Sequence, residues 1–454
     1  MARNRRTDHG PVLNSARAIA VQVLERVTEQ GAYASRALDA ELTRARLPPR
    51  DAALATEIVY GALRVLPELD RRIAAQLSHA ATPSDRFVRA ALRAAAYQLA
   101  HLGRLPSHAI VDESVSLVRA KRGPKLAGFV NAVLRKLSDR RPDEATPAQA
   151  LVLPDWVRNE LEGALAPERL ARFLAPQRLP PPLGLRAEAQ GRDALLTALQ
   201  AALPEAELGP SHSPLGVVAR RVGSPRALPG YAEGAFSVQE EGAQLVALGL
   251  GAEPGERIAD VCAGHGGKTT LLARQVGRGG QISAIDRDER KLKAIAPELR
   301  RLQLPAERVE WHAIDLGVGL GGLGPSFDRV LIDAPCTGLG TVHRRPELLL
   351  RLQPQDPVRL GELQLRLLER AAGLVRPGGV LGYAVCSPTH AEGAAVARAF
   401  GERHPEFQPA SAPAPAQLPD PDGDGIVRIG PWLTSEDSLS CPDAYQLGLW
   451  RRIE

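Results

Sequence analysis

Two cysteines and one carboxylate follow the ends of two apolar segments that we predict to be strands of one sheet. The first segment, FDRVLIDAPC, delivers Asp333 and Cys336, and Pro335 stiffens the backbone between them. The second, GVLGYAVCSP, places Cys386 just after the strand. A single cysteine at a strand end is more often small apolar filler than a reactive group. Two thiols around a carboxylate, beside a nucleoside-type pocket, instead favour nucleophilic and proton-transfer chemistry.

A glycine-rich loop within 258–275, IADVCAGHGGKTTLLARQ, indicates where such a pocket would form. Cys262 follows a strand, and Gly264, Gly266 and Gly267 precede a helix. Glycines let the backbone turn sharply and approach a ligand closely, while the helix N-terminus offers free amides. The spacing matches neither the GxxxxGKS/T loop nor the GxGxxG loop. A tight strand–helix turn without a ligand therefore stays open as the alternative.

Acidic residues end the next two predicted strands. Asp286 ends ISAID about 20 residues past the glycine loop, where an acid accepts hydrogen bonds from ribose hydroxyls. Asp315 ends VEWHAID, in the equivalent place on the following strand, where an acid can contact an adenine amino group. Each acid alone would be interpreted as a solvated residue at a strand end. Together with the glycine loop, they favour a nucleoside-binding site.

Strands and helices alternate in the part of the chain that carries these residues. The strand candidates RIADVCA, ISAID, VEWHAID, DRVLIDA and GVLGYAV are separated by helical stretches. This order predicts parallel strands joined by right-handed crossovers, an α/β Rossmann-like fold. AYQLGLWRRI is a last strand candidate, and the Pro-, Gly- and Asp-rich run 411–425 predicts a loop.

The first third of the chain has a different pattern. Apolar residues recur every three or four positions, and the alternation typical of strands is missing. We predict an all-α domain of five to seven packed helices, with helix starts at Asp51, after a Pro-Pro pair, and at Ser84-Asp85. The predicted organisation is a helical domain at 1–140, a linker at 141–153, a small α+β subdomain at 154–233 and a Rossmann-like domain at 234–454.

Composition and charge exclude several classes of protein. The 454 residues are 44% hydrophobic and 24% charged, so the whole chain is not disordered, and no apolar run is long enough to span a membrane. Four scattered cysteines without a CxxC pair predict neither a disulfide scaffold nor a zinc site, and favour a reducing cytoplasm. Residues 1–140 carry a net charge of +10 and residues 141–454 carry −5. The helical domain is therefore the expected partner of a polyanion, although solvated arginine-rich helices would give the same excess.

The motifs together resemble the RNA cytosine-5 methyltransferases that use S-adenosylmethionine. DVCAGHGGKT is similar to that family's D-x-C-A-A-P-G-G-K-T loop, DAPCTGLGT to its D-A-P-C-S-G-x-G-T segment and VCSPTHAEG to its T-C-S segment. The stretches RALDAELTRARLPPRDAALATEIVYGALR and FVNAVLRKL resemble the NusB-like RNA-binding domain. The fusion of both resembles the Sun/Fmu-type 16S ribosomal RNA methyltransferases, over nearly the whole chain and most loosely at 154–233.

The resemblance implies a role for each site residue. Cys386 would be the nucleophile that adds to carbon 6 of cytosine, Cys336 would assist product release, and Asp333 would hold the base at the reaction centre. The thiolate needs a cation to form at neutral pH, and either Lys268 or the sulfonium of the cofactor could supply it. S-adenosylmethionine would be bound by the following residues: Cys262, Ala263, Gly264, His265, Gly266, Gly267, Lys268, Asp286, Asp315 and Asp333.

Three departures from the family pattern are modest. Gly264-His265 replaces Ala-Pro in the loop, Val385 replaces Thr before the nucleophile, and the acidic pair with Asn is reduced to Glu392-Gly393. No departure removes a cysteine or an aspartate. The implied activity is therefore retained, while the choice of substrate is less strongly determined.

The resemblance implies 16S ribosomal RNA as the partner and a part in ribosomal RNA processing. Cysteine usage favours a cytoplasmic protein without a metal, and a monomer is the default expectation. Because aromatic residues make up 4% of the chain, we expect shape and phosphate contacts rather than base stacking. The basic candidates for these contacts are Arg119, Lys121, Arg122, Lys125 and Arg135-Lys136. Two alternatives stay open: the same reaction on transfer RNA, and a non-catalytic NusB-like RNA-binding or antitermination protein with a degenerate methyltransferase fold.

Overall fold

The computed structural model describes residues 14–77, 83–139, 153–178 and 180–453. Its contacts divide the chain into two compact units. The first contains the described residues up to Leu153 together with Arg344–Arg351, and the second contains Pro154–His343 and Leu352–Glu454. The predicted linker at 141–153 lies outside the described residues except for Leu153.

Seven helices form the described part of the first unit, in agreement with the five to seven that the apolar periodicity predicts. They are α1 (Ala16–Gln30), α2 (Ala34–Ala45), α3 (Pro49–Arg64), α4 (Leu66–Ala74), α5 (Arg86–His101), α6 (Ser107–Arg122) and α7 (Pro124–Asp139). Their apolar faces share one hydrophobic core that includes Leu24, Ile58, Leu92 and Val118. Burial of these faces, rather than helix propensity, supplies most of the stability of such a bundle.

Local signals set the helix starts in this unit. Asp85 caps α5, because its carboxylate accepts a hydrogen bond from the Val88 amide at 2.9 Å. The predicted start at Asp85 is therefore confirmed. The other predicted start, at Asp51, is two residues late, since α3 begins at Pro49. Proline suits the first helical position because its fixed φ matches the helix and its missing amide needs no partner there.

A segment far along the chain completes the first unit. Residues Pro346–Leu350 form a short 3-10 helix, and the Glu347 carboxylate accepts a hydrogen bond from the Ala34 amide at 3.1 Å. Ala34 is the first residue of α2, which has no side-chain cap of its own. The Arg351 guanidinium lies 4.0 Å from the centre of the Tyr33 ring. Glu347, which is far from α2 in the sequence, thus provides the hydrogen-bond acceptor for an amide at the N-terminus of α2.

The second unit begins with helices and a four-stranded antiparallel sheet. The elements are α8 (Asp155–Ala164), α9 (Pro167–Leu174), β1 (Leu183–Ala187), α10 (Arg192–Ala202), β2 (Glu207–Pro210), β3 (Gly216–Arg220) and β4 (Phe236–Val238). The strand order is β2-β3-β1-β4. Strands β1 and β3 fall on the apolar segments PPPLGLRAEA and LGVVARRV, within the predicted α+β subdomain at 154–233. The short strands β2 and β4 have no clear alternation of apolar and polar residues, and the sequence pattern misses them.

The rest of the second unit is one large sheet with helices. Its elements are α11 (Glu241–Gly249), β5 (Arg257–Val261), α12 (Gly267–Val276), β6 (Gln281–Asp286), α13 (Glu289–Lys293), α14 (Ile295–Arg301), β7 (Val309–Ala313), β8 (Phe327–Asp333), α15 (Asp356–Ala372), β9 (Val375–Val385), α16 (Ala394–Arg403), β10 (Phe407–Pro409), β11 (Ile426–Ile429) and β12 (Tyr445–Arg452). The order is β7-β6-β5-β8-β9-β12-β10, and β11 also pairs with β12. All six strands predicted for this part are present. β10 and β11 are additions of three and four residues.

The sheet brings the chemistry-bearing strand ends to one edge. β5 pairs in parallel with β6 on one side and β8 on the other, and β9 pairs in parallel with β8. Strand order therefore reverses at β5, and ligands bind doubly wound sheets at such a point, outside the carboxyl ends of the strands. Hydrophobic clusters cover both faces, with Leu368 and Phe400 in one and Leu272 and Leu299 in the other.

Candidate functional site

The glycine loop turns sharply between β5 and α12. Cys262, Gly264 and Gly266 all have left-handed backbones, with φ values of 60°, 59° and 79°. A Cβ atom at Gly266 would lie 2.6 Å from the Ile295 side chain, so both the backbone and the space there require glycine. Cys262 has a side chain, so its left-handed backbone is strained, and the surrounding loop maintains this conformation. Backbone strain of this kind is found most often at ligand-binding sites.

Asp286 ties this loop to the end of β6. One carboxylate oxygen accepts a hydrogen bond from the Gly264 amide at 3.0 Å, and the other accepts one from the Asp288 amide at 2.8 Å. Lys291 lies 3.8 Å from the same carboxylate. Asp286 is thus held at the rim of the site by the backbone on both sides.

A cavity of about 440 Å³ opens above these strand ends. It is lined by residues of β5, β6, β8, α15 and the loops that follow the strands: Val261, Cys262, Gly264, Ile285, Asp286, Arg287, Lys291, Ile314, Asp315, Leu316, Asp333, Pro335, Arg359, Leu360, Leu363 and Leu367. The walls are mostly apolar, and carboxylates lie at several points. Such a combination is typical of a site for a small organic ligand.

The predicted cofactor residues divide between two places. Cys262, Gly264, Asp286, Asp315 and Asp333 line this cavity. His265, Gly266 and Gly267 line a neighbouring cavity of about 330 Å³, beside Tyr231 and Ser237. Ala263 is buried, and its amide donates a hydrogen bond to the Ile285 carbonyl at 3.0 Å. The loop therefore presents its first half to one cavity and its second half to the other.

The two cysteines meet beside the cavity. Their sulfur atoms are 3.3 Å apart, because β8 and β9 are adjacent and Asp333 is in register with Ala384. The hydrogen bond to the Cys386 sulfur, together with burial, raises the pKa of Cys336 well above the usual value. Cys336 therefore holds its proton more firmly than an ordinary thiol does.

Lys268 and Asp333 form a second pair at the same edge. The Lys268 ammonium donates a hydrogen bond to Asp333 Oδ2 at 2.6 Å and lies 5.6 Å from the centre of the Tyr445 ring. Burial alone would lower the pKa of Lys268, but the Asp333 carboxylate outweighs it and holds that pKa above the usual value. The Lys268 side chain is 9% exposed and that of Asp333 is 33% exposed. Lys268 is therefore a fixed cation, and Asp333 remains accessible to a ligand.

Asp260 is a titratable residue near the end of β5, just before the glycine loop. It is fully buried beneath the glycine loop, and its Oδ2 accepts a hydrogen bond from the Thr269 hydroxyl at 2.6 Å. Its Oδ1 has no hydrogen-bond partner. Burial raises the pKa of Asp260 to about 7. Its place inside the loop motif was the signal that could have identified it.

Arg186 is a second residue that sequence patterns do not reveal. It lies on β1, is fully buried, and donates hydrogen bonds to the Gly267 carbonyl and the Thr270 hydroxyl, both at 3.1 Å. Its guanidinium also pairs with Glu188 at 2.8 Å. Because Gly267 and Thr270 flank Lys268 on α12, the small sheet fixes the helix that carries the Lys268 cation.

The basic residues predicted to contact RNA differ in availability. Arg119, Lys121, Lys125, Arg135 and Lys136 are exposed on α6 and α7. Arg122 is also exposed, but its guanidinium pairs with Asp85 at 2.8 Å and lies 4.9 Å from the centre of the Phe87 ring. Arg122 is therefore engaged within the helical unit. Arg135 and Lys136 also make hydrogen bonds there, to the Asn131 side chain at 3.3 Å and the Gln76 carbonyl at 3.5 Å, but both side chains remain exposed.

Two further classes of feature are absent from the described part of the chain. No group of three His, Cys, Asp or Glu side chains there has the arrangement of a metal site. Within the same residues, every helix is too short or too polar to cross a membrane.

Comparisons with known proteins agree with this geometry. Residues 247–439 match the family model described as 16S rRNA methyltransferase RsmB/F, and residues 14–139 match the NusB family. Ribosomal RNA small subunit methyltransferase B of Thermus thermophilus is 38% identical over 407 residues, which cover 89% of this chain and 91% of the relative. The enzyme of the same name from Erwinia tasmaniensis is 33% identical over 402 residues, 86% of this chain and 91% of the relative.

Solved structures share the fold. The crystal structure of PH0851 superposes with a TM-score of 0.78 at 22% identity, covering 96% of this chain and 98% of that one. The structure of NSun6 from Pyrococcus horikoshii with SFG has a TM-score of 0.55 at 18% identity, covering 66% and 98%. The expected fold, a NusB-like helical region with a Rossmann-like methyltransferase domain, is confirmed. With the identity and coverage of the relatives, these matches show that the chain belongs to the RsmB/F family of 16S rRNA methyltransferases.

Proposed function

We propose that this protein methylates carbon 5 of a cytosine in 16S ribosomal RNA, using S-adenosylmethionine and a covalent bond between Cys386 and the base. The observation that carries the proposal is the 3.3 Å thiol pair beside the Lys268–Asp333 ion pair, at the edge of an open cavity. A methyltransferase acting on a nitrogen or oxygen atom would need no such pair of thiols.

The residues around the cavity fit S-adenosylmethionine. Asp286 presents carboxylate oxygens where ribose hydroxyls can donate, and Asp315 lies in the loop two residues past the end of β7. Leu360 and Leu363 offer an apolar wall to an adenine ring. NSun6, which shares the fold, was solved with SFG, an analogue of S-adenosylmethionine. Such a cofactor supplies a methyl group on a cationic sulfonium.

Carbon 5 of cytosine is a poor nucleophile until a thiolate adds to carbon 6. Cys386 fits this role better than Cys336, because the raised pKa of Cys336 opposes a thiolate on that sulfur. The Lys268 ammonium is close enough to Cys386 to attract the negative charge of a thiolate formed there. This contact makes Lys268 the stronger of the two cations considered, because it is present before any ligand binds.

Asp333 is suited to hold the base. Its Oδ2 is fixed by Lys268, and a third of its side chain is exposed to an incoming group. Its carboxylate can accept a hydrogen bond from the amino group, and also from ring nitrogen 3 when that nitrogen takes up a proton from solvent as the thiolate adds to carbon 6. The base must leave its stack to reach this position, which costs a few kcal/mol.

Cys336 is suited to the release step. After methyl transfer, the proton on carbon 5 must leave so that the Cys386 sulfur can be eliminated. Once Cys386 is bonded to carbon 6, it no longer carries the negative charge that opposes ionisation of Cys336. Cys336 can then give its proton to solvent water and, as a thiolate, accept the carbon 5 proton, directly or through a second water molecule.

The helical unit provides a surface for the RNA. Five exposed basic side chains on α6 and α7 can neutralise phosphates without direct recognition of the sequence. The relatives from Thermus thermophilus and Erwinia tasmaniensis are named for the small-subunit ribosomal RNA, which favours that substrate over transfer RNA. The predictions of a monomer and of a cytoplasmic location stay predictions.

The test is methyl transfer to purified RNA. With 16S ribosomal RNA and labelled S-adenosylmethionine, we expect label at carbon 5 of a cytosine, and we expect Cys386→Ala to abolish it because no thiolate can add to carbon 6. Cys336→Ala should instead accumulate an enzyme–RNA adduct that survives a denaturing gel. Cys441→Ala, which changes a buried cysteine outside the site, is the control and should keep full activity.

Three outcomes would contradict the proposal. Transfer by Cys386→Ala at the wild-type rate would exclude the nucleophile. Label in transfer RNA but not in 16S ribosomal RNA or small-subunit particles would change the substrate. RNA binding without binding of S-adenosylmethionine in a calorimetric titration would favour the non-catalytic alternative.

A further inference from the structure

We propose that Glu392 is a positioning residue for the thiol pair: its buried carboxylate holds together the two loops that carry Cys336 and Cys386. The inference rests on the proposed function, because it assigns Cys386 to attack and Cys336 to release. In the sequence, Glu392 is what remains of the family's acidic pair.

The contacts of Glu392 join both loops. Its side chain is fully buried, and Oε1 accepts a hydrogen bond from the Thr337 amide at 2.7 Å. Oε2 accepts from the Thr337 hydroxyl at 2.5 Å and the Ser387 hydroxyl at 2.6 Å. Thr337 directly follows Cys336, and Ser387 directly follows Cys386. One carboxylate thus binds the neighbour of each sulfur atom.

Further donors complete the arrangement around the carboxylate. The Thr389 hydroxyl donates to Oε2 at 3.0 Å, and the Gln364 amide group donates to Oε1 at 3.1 Å. The Tyr383 hydroxyl donates to the Glu392 carbonyl at 2.5 Å, which fixes the backbone of the residue. All five groups that face the carboxylate are donors, so a carboxylate satisfies them and a neutral amide does not.

The negative charge of Glu392 also affects the Cys336 thiol. Its carboxylate is one of the groups that raise the pKa of Cys336, after the contact with Cys386 and burial. A negative charge beside Thr337 disfavours a thiolate on Cys336. A residue that only stabilised the fold would leave the ionisation of the two thiols unchanged.

The experiment compares Glu392→Gln with Glu402→Gln. Glu402 lies on the exposed side of α16, so its variant controls for loss of one negative charge on a neighbouring element. The first readout is alkylation of Cys336 and Cys386 by iodoacetamide as a function of pH, in the enzyme without RNA. We expect Cys336 in Glu392→Gln to react about tenfold faster at neutral pH, equivalent to about one pKa unit. Glu402→Gln should match the wild type.

The second readout is the covalent enzyme–RNA adduct. When Glu392→Gln misplaces Cys336, release should slow about tenfold or more, and adduct should accumulate on a denaturing gel as in Cys336→Ala. Binding of S-adenosylmethionine should stay within about twofold of the wild type, because Glu392 does not line the cofactor cavity. Ser387→Ala removes a single donor and should give a smaller effect of the same kind, which keeps the test available if Glu392→Gln folds poorly.

Failure of the inference can be told apart from failure of the proposed function. If Cys336→Ala traps an adduct but Glu392→Gln and Ser387→Ala show wild-type alkylation and release, the role of Glu392 is wrong and the function stands. If neither the wild type nor Cys336→Ala modifies cytosine, the function is wrong, and the alkylation profile still measures whether Glu392 controls the thiols.

Discussion

Titratable side chains beneath the glycine loop hold their protons for different physical reasons. Burial raises the pKa of Cys262 to about 12, so this thiol at the cavity wall stays neutral. Burial also raises the pKa of Asp260 to about 7, despite the hydrogen bond from Thr269. Lys268 is buried too, but the Asp333 carboxylate keeps it charged. The site thus places its one buried cation where the thiol pair and the base are expected.

The raised pKa of Asp260 predicts a pH dependence of stability. The Asp260 carboxyl ionises near pH 4 in the unfolded chain and near pH 7 in the folded protein, so the folded protein binds more protons between these two values. The contribution of Asp260 to the free energy of unfolding therefore falls as pH rises from about 4 to 7. Urea unfolding of the wild type and Asp260→Asn should therefore show a stability difference that changes by roughly 3 kcal/mol over this range, in favour of the variant at higher pH. Parallel profiles of the two proteins would contradict the assignment.

At the scale of elements, a buried ion pair connects the small sheet of the second unit to α12, a helix that packs on the large sheet. Arg186 on β1 reaches the first turn of α12, and its partner Glu188 also pairs with Arg274 on that helix. The small sheet therefore does more than extend the unit. It sets the orientation of the helix that carries Lys268.

Removal of Arg186 should destabilise this arrangement. In Arg186→Met, the buried Glu188 keeps only Arg274 as an ionic partner. Because breaking a buried ion pair leaves a buried charge that is no longer fully compensated, we expect the free energy of unfolding to fall by about 3–5 kcal/mol. Arg192→Met is a matched control: Arg192 pairs with the exposed Asp193, and such a pair contributes about 0–1 kcal/mol. Urea unfolding of both variants measures the difference. Equal losses would show that Arg186 does not fix α12.

For the molecule as a whole, charge is divided along the chain. The first 140 residues carry a net charge of +10, and the remainder carries −5. The exposed basic residues of α6 and α7 lie in the positive part, while the cavity is lined by several carboxylates. The proposed attraction of RNA phosphates therefore involves the first part of the sequence, and the proposed binding of a cationic cofactor involves the second.

This division predicts how salt affects RNA binding. If Lys125 and Lys136 each neutralise a phosphate, Lys125→Gln with Lys136→Gln should weaken binding and lower the slope of log affinity against log salt by about 2. Methyl transfer at saturating RNA should be unchanged, because neither lysine lies at the cavity. Binding titrations at several salt concentrations test this. An unchanged slope would exclude these lysines from the RNA-binding surface.

Local sequence patterns were sufficient for the longer strands and for the edge of the sheet where the site lies, but not for the short strands β2, β4, β10 and β11. The apolar runs that became β5, β6, β8 and β9 are recognisable because buried parallel strands need continuous apolar residues. The residues that follow each strand must then lie at the same edge, since parallel strands end together. Cys262, Asp286 and Asp333 could be placed at one site for this reason alone.

Tertiary structure decided which of those residues meet and which share a cavity. The 3.3 Å contact of Cys336 and Cys386 joins residues 50 apart, the Glu392–Thr337 bond joins residues 55 apart, and the Arg186–Gly267 bond joins residues 81 apart. The direction of α12 turns His265 and Gly267 toward a second cavity. Periodicity and turn chemistry report only on neighbours along the chain, whereas burial, shared protons and ion pairs depend on distances that exist only after the sheet has assembled.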